Sequence, residues 1–184
     1  GNHTVYAART LFPLIEQDFG TVNRIFTALQ HHLGTDGKGY PKLRLRRKQT
    51  LYARITAIAD TFDAMTTRRV YQKQFLPDEA MTVLSEASGT RYDPLLVKAF
   101  VNCMGVFPIG STVLMDTGEL AVVVESNPDP ERVHQPKVKI VTDSKKQSRE
   151  PELVDLSVRA DSKRSILRCV DPELYGINAP HFAF

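Results

Sequence analysis

The chain has 184 residues, 42% of them hydrophobic and 24% charged, with a net charge of +3 at neutral pH. That length supports one good core with a smaller appendage, and so modest a charge argues against nucleic acid as a partner. No apolar run approaches the roughly 20 residues a membrane-spanning helix needs, and no signal-peptide pattern opens the chain. Two distant cysteines, Cys103 and Cys169, make neither a disulfide framework nor a thiolate metal spacing, so a cytoplasmic, reducing location is expected.

Residues 1–104 read as helices. Val5, Ala8, Leu11 and Phe12 recur at helical spacing from His3 onward, and Pro13 then bends or restarts the helix. So abrupt an opening suggests that part of the fold lies upstream. Val22, Ile25, Phe26, Leu29 and Leu33 form a second pattern, opened by Gly20-Thr21 and closed by Gly34. The basic cluster from Lys42 to Lys48 reads as a solvated turn rather than a binding patch. Leu51, Ile55, Ile58, Phe62 and Met65 then draw one apolar stripe on a third helix. Pro77-Asp78-Glu79 opens a fourth, with acidic residues where the helix dipole favours them, and Gly89 closes it. Asp93-Pro94 opens a fifth, running towards Cys103.

After Gly105 the period changes. Residues 112–115, 120–124 and 138–141 are β-branched runs bounded by Asp116-Thr117-Gly118 and Asn127-Pro128-Asp129-Pro130 turns. Ser165 to Cys169 adds a short edge strand, and the charged stretch from Ser144 to Glu152 reads as a mobile loop. The expected fold is mainly α: a helical bundle over residues 1–104, followed by a small β-rich C-terminal module over residues 105–184 with no residues arranged for chemistry.

The chemistry concentrates in the helical half. His31 and His32 stand side by side at the end of a helical pattern and run straight into a glycine-punctuated turn, Gly34-Thr35-Asp36-Gly37-Lys38-Gly39-Tyr40-Pro41. Adjacent imidazoles rarely help a core, because each ring brings two nitrogens that need partners. His3 and Asp60 complete a candidate metal-binding set, since a carboxylate in so apolar a helix is costly unless its charge is compensated. Imidazole with carboxylate and no thiolate suits iron, manganese or zinc in a catalytic rather than a structural role. Taken singly, each has a plainer reading. His3 can cap a chain start, the His31-His32 pair suits a helix C-terminus, and Asp63 suits helix-packing hydrogen bonds. His134 and His181 lie in loop contexts and are not expected as ligands.

Two stretches carry a family resemblance. His31-His32-x-x-x-Asp36-Gly37-x-Gly39-Tyr40-Pro41, followed by Arg54-Ile55-x-x-Ile58-Ala59-Asp60-x-Phe62-Asp63-Ala64-Met65-Thr66-Thr67-x-Arg69-x-Tyr71, resembles the HD-GYP domain, a bacterial branch of the HD phosphohydrolases. The resemblance runs from His3 to about Phe100 and implies an HD-type bundle. It further implies two or three divalent ions, iron or manganese, held by His3, His31, His32 and Asp60, with Asp60 the catalytic carboxylate. Hydrolysis of cyclic di-GMP to pGpG or GMP would follow, with Arg69 gripping phosphate. Gly39, Tyr40 and Pro41 would line the substrate side and offer a contact for other signalling domains. The β-rich module looks like an extension attached to some members. Certain positions depart from the family pattern. Its His-Asp pair is expected upstream of His3, Leu33 replaces Glu, Val70 replaces Pro, and Gln72 replaces a basic residue. A second reading therefore stands beside the enzyme: a catalytically inactive module of the same fold that signals through protein contacts.

Overall fold

The computed structural model describes residues 2–17, 20–42, 48–68, 74–158 and 164–183. Helix supplies 43% and strand 20% of the structure, so the expectation of a mainly α fold is corrected: this is a mixed α/β chain, helices first and a five-stranded antiparallel sheet after. The shortfall has a physical source. β4, Ser148–Asp155, occupies most of the stretch that its charges mark as a loop. It lies at the sheet edge, where one flank is unpaired and polar side chains face water at little cost.

The chain divides into two compact units, one of Gly1–Thr67 with Val83–Lys98 and one of Arg68–Thr82 with Ala99–Phe184. In the first, α1 (His3–Leu11) gives way at Phe12 to a 3₁₀ turn through Gln17, as Pro13 requires. α2 (Gly20–Gln30) packs against α1 and against α3 (Leu51–Thr66). Thr50 caps α3, its hydroxyl accepting the Ala53 amide at 3.2 Å. The buried face of α3 is built on Ala53, Ala57, Ile58 and Met65, while Leu51 and Ile55 are exposed, so the apolar stripe drawn by spacing is rotated from the true one. α5 (Pro94–Met104) is capped by Asp93, whose Oδ1 accepts the Leu95 amide at 3.0 Å. The other oxygen of Asp93 takes the Arg54 guanidinium at 2.6 Å, which ties the cap to α3.

In the second unit the sheet order is β4-β3-β2-β1-β5, with β1 Thr112–Met115, β2 Leu120–Glu125, β3 Lys137–Thr142 and β5 Ile166–Cys169. Successive side chains alternate between faces, and both faces are covered. Val113, Met115, Ala121, Val123, Val138 and Ile140 form one core. Leu120, Val122, Val141 and Val170 form the other, with Phe182 of α6 (Ala179–Ala183) packed against it. Lys139 donates from Nζ to the Phe182 carbonyl at 2.9 Å and fixes α6 on that face. α4 (Pro77–Glu86) opens as its sequence predicts: Pro77 takes the first turn, and Glu79 reaches back to accept the Leu76 amide at 2.8 Å. No helix among the described residues is long and apolar enough to cross a membrane.

Candidate metal centre

α2 ends at Gln30, so His31 and His32 lie in the turn that follows rather than within the helix. The His31 amide still donates to Thr27 O at 3.1 Å, and the Leu33 amide closes a tighter turn onto Gln30 O at 2.9 Å. Gln30 itself is 2% exposed. Its side-chain oxygen accepts the Thr50 amide at 3.0 Å, and its carbonyl takes Gln49 Nε2 at 3.2 Å. One buried glutamine thus fixes the end that presents the histidines against the start of α3, which carries Asp60.

The loop then folds back. Gly34 donates to Lys38 O at 2.7 Å, Asp36 Oδ1 accepts the Lys38 amide at 3.0 Å, and Leu33 pairs with Gly39 as an isolated antiparallel bridge. Gly39 has φ +107°, and a Cβ there would land on the His32 carbonyl oxygen, so only glycine fits. This return delivers Tyr40 to His32, with ring centroids 4.5 Å apart and planes tilted by 34°.

The three histidines converge. His3, on the first turn of α1, sets its Nε2 3.0 Å from His32 Nε2, and ligand atoms of His3, His31 and His32 all lie within 4.8 Å of one another. A carbonyl can only accept, so His31 Nδ1, 3.1 Å from Thr27 O, is the donor of that bond, and in the neutral ring Nε2 is the nitrogen left to bind a metal. Burial first, then the neighbouring His31, pushes His32 below its ordinary value against the pull of Asp60. His32 is therefore neutral at pH 7, the form that binds metal. Asp60 Oδ2 stands 3.8 Å from His32 Nδ1, beside the trio and too far for a hydrogen bond.

The donor set fits a metal ion. Two imidazole nitrogens bound at right angles on one ion at about 2.1 Å would stand about 3 Å apart, as His3 and His32 do. Not every candidate joins the cluster. Arg69, with Val70 and Gln72, lies outside the described residues, as does most of the Lys42–Lys48 cluster. Asp63 is exposed and accepts the Thr67 hydroxyl at 3.1 Å, one turn along α3. His134 and His181 are exposed and sit in the second unit. Cys103 and Cys169 are free thiols, and burial, then the charge of Asp78, pushes Cys169 up to about 12, so it supplies no thiolate. Sequence reasoning passed over Gln30, Gln49 and Thr27, and nothing in their residue types distinguishes them from a solvated helix face.

Known proteins resemble this chain. Residues 2–96 match the HD domain family, and residues 112–177 match a KOW domain associated with the HD domain. A cyclic di-GMP phosphodiesterase of Pseudomonas aeruginosa is 37% identical over 99 residues, covering 54% of this chain and 24% of its own length. One from Thermotoga maritima is 40% identical over 74 residues, 40% of this chain and 20% of its own. A 3'3'-cGAMP-specific phosphodiesterase of Vibrio cholerae is 31% identical over 106 residues, 58% of this chain and 22% of its own. The matches thus span about a quarter or less of these relatives.

Proposed function

The chain belongs to the HD domain family, and from that premise we propose that it carries the site of a metal-dependent phosphodiesterase acting on a cyclic dinucleotide, cyclic di-GMP first among them. The observation that carries the reading is the convergence of His3, His31 and His32 within 4.8 Å. His3, His31, His32 and Asp60 would hold two or three divalent ions, iron or manganese. Such ions supply a hydroxide nucleophile at neutral pH and neutralise charge developing on the phosphoryl oxygens. The protein's own part is preparation. Thr27 locks the His31 tautomer, burial keeps His32 neutral, Asp60 offers the carboxylate, and Tyr40 packs the His32 ring in place.

Residues 1–104 are assigned as the catalytic-type domain and residues 105–184 as an accessory module for regulation or dimerisation. The separate family matches on either side of residue 105 support that division. A cyclic dinucleotide substrate would be met in the cytoplasm, the location this reading proposes. The Gly39-Tyr40-Pro41 loop is the surface on which another signalling domain would act, since Tyr40 touches His32 directly.

The test is elemental analysis of protein purified without oxygen, alongside chromatography of cyclic di-GMP hydrolysis products. Two or more equivalents of iron or manganese with turnover bear the reading out. Absence of both leaves the inactive signalling module, the reading that Leu33 and Gln72 favour. Asp60→Ala is expected to lose metal, and unchanged metal content would remove Asp60 from the ligand set.

A further inference from the structure

The turn between α4 and α5 is fastened to the histidine loop. Thr35 donates its amide to the Arg91 carbonyl at 3.0 Å and its hydroxyl to the Thr90 carbonyl at 2.6 Å. Beside it, the arginine stem passes Gly34: a Cβ on that residue would stand 3.5 Å from Arg91 Cγ, in ordinary contact. Farther out, the guanidinium carbon lies 5.5 Å from the centroid of the Tyr92 ring. Tyr92 is 4% exposed, and its hydroxyl meets Thr61 Oγ1 at 2.8 Å, the residue next to Asp60 on α3.

Arg91 is therefore located from two sides. Its stem rests on the loop that carries His32, and its head rests on a ring whose far end touches α3 beside Asp60. The side chain is exposed, and its charge reaches His32. A cation–π contact with a fixed ring restricts the guanidinium before any ligand arrives, which reduces the ordering cost of binding. A guanidinium so held matches two oxygens of one phosphate, a geometry an ammonium cannot reproduce.

We propose that Arg91 is a phosphate-binding residue of this centre, taking non-bridging oxygens of the dinucleotide's phosphodiester beside the three imidazoles. The proposal rests on the functional reading above and adds a residue that the sequence motifs do not contain. Arg91 holds and orients the phosphate; it contributes no ligand to metal.

The test uses the metal-loaded protein and its Arg91→Ala and Arg91→Lys variants, titrated calorimetrically with inorganic phosphate and assayed with cyclic di-GMP. Arg91→Ala is expected to weaken phosphate binding about tenfold or more and to raise KM similarly, with kcat changed less than about threefold. Metal content and melting temperature stay at the wild-type values, and Arg91→Lys recovers part of the affinity. Phosphate affinity equal to wild type in Arg91→Ala overturns the proposal. Loss of metal in that variant also overturns it, because the role would then be structural. If the wild type hydrolyses no cyclic dinucleotide, the functional reading fails, while the phosphate titration still decides Arg91.

Discussion

Gly39 is where residue-level chemistry is least forgiving. Its φ of +107° and the His32 carbonyl in the place of a Cβ mean that any side chain must move the backbone that presents His32. Gly39→Ala is expected to cost about 1–3 kcal/mol and to lower metal affinity, checked by thermal melting and metal titration; an unperturbed melt with full affinity would show that the loop relaxes freely. The sequence revealed much at this scale. Residue type and spacing point to His3, His31 and His32, and the fold brings them together. Nothing in the sequence points to Arg91, because its significance depends on a turn closing onto Thr35 from a distant stretch, which no local pattern records.

Between elements, single side chains serve as joints. Gln30 is buried and bonds the start of α3 through both its side chain and its carbonyl. Gln30→Ala leaves the Thr50 amide without its acceptor and is expected to destabilise the chain by about 1–3 kcal/mol, read from denaturant unfolding. In the sheet, Asp155 accepts from the Ser157 hydroxyl at 2.6 Å, which leads the causes holding its carboxyl below the usual value. A depressed carboxylate adds stability above its unfolded pKa and loses it as pH falls through the folded one. Stability should therefore drop on acidification below about pH 4, the reference carboxylate range, and Ser157→Ala should lower stability at neutral pH and flatten that acid-dependent loss. Acid unfolding followed by circular dichroism checks both. At this scale the sequence was less informative. The helix starts at Pro77 and Asp93 follow from local capping chemistry. Strand β4 does not, because its Arg149 and Glu152 look like loop residues until β3 supplies the pairing.

For the whole molecule, the proposed donors come from three places in the chain: the start of α1, the turn after α2 and the middle of α3. A ligand that binds only the folded arrangement stabilises it by mass action, about 2.7 kcal/mol at a hundredfold excess over Kd. Adding iron or manganese should accordingly raise the melting temperature by several degrees, and a chelator should reverse the rise; no shift would disconnect the histidines from metal. The mainly α expectation failed here because it counted strands by hydrophobic runs, whereas a five-stranded sheet also enlists polar edge segments. One feature of α1 reaches beyond catalysis. The helix has nine residues, too few to persist alone in water, and its first residue is His3. An ion shared between His3 and His32 would pin the helix's leading end, so amide hydrogen exchange in α1 becomes a gauge of metal supply.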